Sequence, residues 1–247
     1  MSSFGKQKLV IAGEGETAEM AYEYFTYDSN YEVVAFCAEK AFINKNSLFG
    51  LPIVAFEDVE KSYSPKTHKM FVAVSFTNLN RVRTRLYKQA KYKGYSLASY
   101  ISSKAFVWHN VEIGENCFIL EDCVLQSHAK IGNNVTLWSG SHICHRTMIH
   151  DNCFVASNVA ISGFCEIGEN CFLGVNSCCA GNVKVAKDNI VGAGAVVIKD
   201  TLEGLVYVGN PAKPLLNKTS LETFHVDAGS QFLSAEQKTL ANITVST

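Results

Sequence analysis

The chain lacks a strong charge of either sign. Its 22 Lys and Arg stand against 23 Asp and Glu, a formal net charge of −1, and no basic block interrupts the balance. A nucleic-acid partner, which needs a concentrated positive face, is not expected. Charged residues are also scarce, at 18% against about 25% in ordinary globular domains. Hydrophobic residues reach 47%, yet no apolar run attains the roughly 18–20 residues of a membrane span. No secretory pattern opens the chain, so the cytoplasm is the expected setting and no membrane partner is expected. The nine cysteines are an odd number, which fits a reducing compartment better than a disulfide framework.

What the chain does have is a six-residue beat that runs from Ile101 to Thr201 without an insertion. Its first position is a branched aliphatic (Ile113, Ile119, Leu125, Ile131, Leu137, Ile143 and onward), with Cys179 the one cysteine there. Its fifth position is small, and five of the cysteines (Cys117, Cys123, Cys153, Cys165, Cys171) fall on it. Such cysteines read as small buried hydrophobes. A hexapeptide period is the signature of a parallel β-helix. Three hexads close one triangular coil, so residues eighteen apart stack at about 4.8 Å, the strand spacing. Gly114, Gly132, Gly168, Gly174 and Gly192 are expected to form its tight turns.

The first hundred residues follow another grammar. Buried strands at Lys8–Ala12, Tyr31–Cys37 and His68–Val74 alternate with helices at about Thr17–Thr26, near Glu57 and at Asn78–Lys93. This alternation implies a small parallel sheet with covering helices. The expected division is an α/β domain over residues 1–100, a β-helix over 101–212 and a tail over 213–247, whose polar last part is expected to be mobile. An open α/β sheet binds ligands at the carboxyl ends of its strands. The loop Gly13-Glu14-Gly15-Glu16 sits at such an end, where backbone N–H groups can hold a phosphate. It lacks the third glycine of a dinucleotide fingerprint, its two glutamates oppose a pyrophosphate, and an ordinary tight strand-to-helix turn accounts for the same residues.

The eighteen-residue rule turns sequence into columns. One outward column reads His109, Ser127, His145, Gly163, Gly181, Lys199. An imidazole at His145 suits proton removal from a nucleophile, and the Gly163 N–H, one coil along, suits an oxyanion. Gly163 and Gly181 leave room for a thin, extended ligand. A surface histidine with no task is the plain alternative.

The head followed by an uninterrupted hexad helix resembles the nucleotide-sugar acyltransferases of the hexapeptide-repeat family, and within them the N-acetyltransferases of bacillosamine precursors and the sialic-acid O-acetyltransferases. The stretches carrying the resemblance are Ile143-Cys-His145, Ile161-Ser-Gly163, Ile167 to Gly174, Val191 to Asp200 and Val208 to Lys213. The resemblance implies a left-handed β-helix, a homotrimer with sites between adjacent helices, and acyl transfer from acetyl-CoA to the amino group of a nucleotide-linked deoxyamino sugar for polysaccharide synthesis. It implies His145 as general base and Gly163 as oxyanion donor. Val175 and Ala193 then line the coenzyme A groove, with Gly181, Lys199 and Lys213 assigned to the same cosubstrate. The Gly13–Glu16 loop cradles the sugar nucleotide, with Asn80 and Arg83 of the basic helix assigned to it as well. Lys184, Lys187, Lys199 and Lys213 are expected to supply countercharge to coenzyme A phosphates. No metal is expected.

Two departures stand out. Arg146 replaces the acid that the family has beside its base, leaving Glu121, Asp122 and Asp151 of this or a neighbouring chain as candidates to orient His145. Cys37-Ala38-Glu39 replaces the acidic pair that reads the nucleobase, which opens guanosine and thymidine nucleotides beside uridine. Three other readings compete: sugar O-acetylation, a trimeric protein that binds without turnover, and a zinc enzyme. The zinc reading rests on His109, His145 and His150, whose spacing resembles the γ-class carbonic anhydrases. The Arg-x-Asp pair that class carries is missing.

Overall fold

A computed structural model describes residues 6–226. The polar end of the tail, expected to be mobile, lies outside the described residues. In the head, β1 (Gln7–Ala12), β2 (Tyr31–Ala38), β3 (Ser47–Leu48), β4 (Leu51–Ala55) and β5 (His68–Val72) form one sheet in the order β3-β4-β2-β1-β5. β1 is central and pairs in parallel with β2 and β5. Its Leu9, Val10, Ile11 and Ala12 are buried, the continuous apolar run of a parallel strand covered on both faces. Helix α1 (Glu16–Tyr27) turns Ala18, Ala21 and Phe25 inward at helical spacing. After the short α2 (Val59–Ser62), α3 spans Arg81–Tyr92 and not Asn78–Lys93. Asn78, Leu79 and Asn80 have φ of 51°, 48° and 64°, a left-handed run that no α-helix accommodates.

From Tyr100 the chain winds into a left-handed prism of two-residue rungs that ends at Val196–Val197. Rungs pair in parallel with those eighteen residues on, as Ile143 does with Ile161 and Ile161 with Cys179. The first-position aliphatics and the fifth-position cysteines fill the interior from Cys117 to Val197. Each aliphatic so buried contributes about 1.5–3 kcal/mol. Ile101, by contrast, is 40% exposed, because no coil lies beneath the first. All nine cysteines are free.

The turn chemistry corrects one expectation. Every sixth residue from Asn116 to Gly194 has positive φ, and this is the fourth hexad position, most often Asn, Asp or Gly, the residues that tolerate the left-handed region. Gly114, Gly132, Gly168 and Gly174 instead occupy the second position, where backbone packing is tight. A Cβ on Gly168 would lie 2.5 Å from the Lys187 nitrogen, and one on Gly174 2.6 Å from that of Ala193. These glycines admit the next coil; the asparagines turn the chain.

The three faces differ. The head face carries Phe118, Thr136, Phe154, Phe172 and Ile190 and is covered by the α/β domain. The small-residue face carries Val124, His142, Ala160, Cys178 and Val196; the charged face carries Glu112, Lys130, Met148, Glu166 and Lys184. The edges are named for what they carry. The histidine edge, holding His145, lies opposite the head, between the small-residue and charged faces. The asparagine edge (Asn116, Asn134, Asn152) runs under α3, which reaches it through Lys91 to Glu115 and Arg81 to Asp188. The third edge runs under α1, where Tyr24 donates to Glu121 over 2.8 Å. After the last rung, Leu205–Val208 joins the head face in parallel and Lys213–Thr219 returns antiparallel to it. Val206 and Val226 pack there with Leu79 and Ile190.

Candidate active site

His145 stands on an exposed corner, held by its own backbone: its N–H donates to Gln126 Oε1 at 3.1 Å, and its carbonyl accepts the Phe164 N–H. The ring lies over Gly163 of the next coil. A Cβ built on Gly163 would meet Cε1 at 2.6 Å and Nε2 at 2.8 Å, so base and amide are neighbours on one edge. Among the described residues the Gly163 N–H has no acceptor; this is common at the third hexad position, where the amides of Glu115 and Asn133 are exceptions capped by the side chains of Asn133 and Asp151. An uncommitted N–H beside an imidazole is what a developing oxyanion requires. The Phe164 ring stands edge-on to His145, 5.1 Å away at 87°. Within the left-handed series only His128, Arg146 and Phe164 are neither Asn, Asp nor Gly. All three sit on the histidine edge in consecutive coils, and bulky left-handed residues gather where function holds them.

The contact yields a test. In Gly163→Ala, the new methyl displaces the end of an exposed, movable side chain, so the melting temperature stays near wild type. The imidazole is pushed off the amide, and turnover falls by about 100-fold, the effect of a small misplacement of catalytic groups. Equal turnover in the two proteins would remove the pairing.

The other expected residues divide. Gly181 and Lys199 continue the histidine edge and are exposed; nothing lies closer to a Cβ on Gly181 than the Gly163 oxygen at 3.5 Å. Val175 and Ala193 stack on the third edge, across the small-residue face, also exposed. One chain therefore does not bring the base together with Val175 and Ala193. The expected lysine cluster is dispersed: Lys184 lies on the charged face against Glu166 at 3.6 Å, and Lys187 on the asparagine edge against Glu203 at 3.2 Å. Only Lys199 and Lys213 of the four lack a carboxylate partner among the described residues. Within the chain no candidate acid reaches His145. Glu121 and Asp122 stand on the third edge, where Glu121 is held by Tyr24 and Ser139; Asp151 caps Asn133 on the asparagine edge. His109, His145 and His150 do not converge either, and among the described residues no three ligating side chains are grouped to hold a metal. Cys144, next to the base, faces the small-residue side, and burial pushes its thiol up, away from a thiolate role.

At the carboxyl end of the head sheet lies a cavity of about 300 Å³ bounded by Gly13, Glu14, Glu39, Phe42, Val74 and Arg85. Gly13 has φ +140°, and a Cβ there would lie 2.5 Å from the Ala73 oxygen, so only glycine fits. Glu14 lines this cavity, and its carboxylate accepts from the Asn44 backbone and side chain at 3.0 and 2.9 Å. Glu39 is gripped in two-pronged fashion by Arg85 at 2.7 and 2.8 Å. Asn80 and Arg83 do not belong to this site. Both are buried; Asn80 donates to the Cys171 carbonyl, and Arg83 spends its guanidinium on the junction of head and prism. A helix of basic sequence concealed that one arginine faces inward.

The chain thus sets an α/β head on a left-handed prism of hexads, with the His145 imidazole over Gly163. Residues 128–163 match the family described as Bacterial transferase hexapeptide (six repeats). Among solved structures the chain is similar to the acetyltransferase domain of PglB from Neisseria gonorrhoeae, at 26% identity over 85% of this chain and 100% of that one, with a TM-score of 0.77. It is similar at 25% identity to a variant of perosamine N-acetyltransferase from Caulobacter crescentus in complex with CoA and GDP-perosamine, over 84% of this chain and 96% of that one, TM-score 0.77. WeeI from Acinetobacter baumannii shares the fold at 23% identity, over 84% and 99% of the two chains, TM-score 0.72. The resemblance read from the sequence holds.

Proposed function

We propose that the protein transfers the acetyl group of acetyl-CoA to the amino group of a nucleotide-linked deoxyamino sugar. The observation that carries this reading is the His145 imidazole lying over the uncommitted Gly163 N–H. The solved acetyltransferases of similar architecture, one of them bound to CoA and GDP-perosamine, support the choice of cosubstrate and acceptor. The acceptor amine attacks the thioester carbonyl and forms the C–N bond. His145 takes the amine proton, Gly163 N–H donates to the oxyanion, and the C–S bond breaks as the thiolate leaves and is protonated. No acyl-enzyme is needed. General-base catalysis of this kind contributes about 10²–10⁴-fold.

The site is completed between copies of the chain. The head cavity lies beside α3 and the Val175–Ala193 edge runs on the side of α1, while His145 lies on the edge opposite the head. A homotrimer with cyclic symmetry sets the histidine edge of one copy against the third edge of the next, and the acid that orients His145 then comes from the neighbour. Light scattering should give the mass of three chains.

The deciding experiment is a panel of dTDP-, UDP- and GDP-linked 3- and 4-amino sugars with acetyl-CoA, read by thiol release. Release with at least one nucleotide-linked amino sugar is expected. Release only with free sugars or with hydroxyl acceptors would replace N-acetylation by O-acetylation.

A further inference from the structure

The histidine edge is chemically lopsided about the base. Towards the C-terminal coils its third hexad position carries Gly163 and Gly181, without side chains, flanked by the exposed Phe164 ring. Towards the N-terminal coils it carries a preassembled hydrogen-bonding cluster that the proposed reaction has not used. Ser127 Oγ lies 2.7 Å from His128 Nδ1. Asn110 Nδ2 donates to Ser127 Oγ over 3.2 Å, and Asn110 Oδ1 accepts the His128 N–H over 2.9 Å. His128 has φ +60°, an uncommon conformation for its side chain. Two coils below the base, Trp108 stands 44% exposed on the adjoining face, with the His109 ring 5.4 Å away.

We propose that this cluster is the hydroxyl-recognition subsite for the acceptor sugar, an inference that rests on the transfer reaction proposed above. The amine and the thioester must meet at His145 from different directions. The glycine side fits a narrow, unbranched arm, and the other side fits a polyhydroxylated ring. Asn110 Nδ2 also stands 3.3 Å from His128 Nε2, so Nε2 accepts, the ring proton sits on Nδ1 and donates to Ser127 Oγ, and the Ser127 hydroxyl hydrogen is left to donate outward. A sugar hydroxyl oxygen accepts it. One coil spacing of about 4.8 Å places Ser127 beneath the reacting amine, within the span of a hexose. Trp108 supplies an apolar wall for the C–H face of the ring, an aromatic surface with one polar end.

The test uses the full-length protein and the dTDP-, UDP- or GDP-linked amino sugar that the wild type turns over fastest, beside its analogue lacking the hydroxyl next to the amino group. Ser127→Ala and Asn110→Ala are expected to raise the acceptor KM about three- to tenfold, the effect of one lost hydrogen bond, while the acetyl-CoA KM stays put. The wild type should lose a similar factor on the deoxy analogue, and at least one variant should lose none, because its partner is already gone. A merely structural role would not erase that discrimination. Unchanged acceptor KM in both variants, or discrimination retained by both, overturns the subsite. A Trp108→Ala protein with altered mass and wild-type acceptor KM overturns the wall and makes the tryptophan a contact between copies. Wild-type inactivity across the whole panel overturns the reaction itself, and the subsite with it.

Discussion

His145→Ala lowers kcat by about 10²–10⁴-fold and leaves the folded protein intact. The side chain is exposed, its ring has no hydrogen-bond partner among the described residues, and its backbone bonds to Gln126 and Phe164 survive the change. Truncation therefore removes no core contact and leaves no buried polar group unpaired. Only the proton acceptor goes. The acetyl-CoA KM should hold, because the glycine column and the Val175–Ala193 edge are untouched; the loss belongs to kcat and to the transition state. Thiol release measures the first quantity and thermal melting the second. A variant that works at wild-type rate would return His145 to the surface histidines. Gly163→Ala shares the phenotype by another route: the base remains but is displaced.

Much of this edge was legible before any coordinates, because the hexad beat is a geometric statement. Ile143, Ile161 and Cys179 repeat every eighteen residues, so they had to stack, and His145 had to sit beside Gly163. The turn was misread for a physical reason. Glycine is the residue one associates with forbidden conformations, yet at Gly168 and Gly174 it is demanded by close coils, while Asn116, Asn134 and Asn152 take the left-handed φ. The regular asparagine at the fourth hexad position was the signal. It would also have shown His128, Arg146 and Phe164 as exceptions grouped on one edge. What period alone does not encode is contact between unlike units. Nothing in the sequence around Glu14 points to Asn44, thirty residues away, and nothing in the basic run of α3 separates Arg83 from its exposed neighbours. The lysines gathered in sequence fall on different faces, because six residues of advance rotate the chain by a third of a turn.

Arg83 carries the second large effect, and it is on stability. Its guanidinium is 3% exposed and faces no carboxylate. Nε donates to the Val72 carbonyl at 3.3 Å, Nη1 to the Asn134 carbonyl at 2.9 Å and Thr136 Oγ1 at 2.6 Å, and Nη2 to the Asn116 carbonyl at 2.8 Å. One side chain thus ties the last head strand to two consecutive coils of the prism. Burial lowers its pKa to about 10, so it stays protonated at neutral pH, and its acceptors offset the desolvation. In Arg83→Met the apolar stem is conserved and the donors vanish. The oxygens it served are left buried, each costing about 1–3 kcal/mol unless another donor covers it. Val72 keeps a long contact from Asn116 Nδ2 at 3.4 Å, so the total is expected near 3–5 kcal/mol, the range for breaking a buried charged network. For a chain of this length that is on the order of 10 °C in melting temperature. The prism has its own continuous interior and should outlast the head, so calorimetry of the variant should split into a low transition for the head and a higher one for the coils. Arg83→Lys should recover little, since one ammonium cannot reach acceptors spread over a head strand and two coils. A single transition at the wild-type temperature would mean that the apolar packing of Phe118, Leu120 and Trp138 against the head suffices without the arginine.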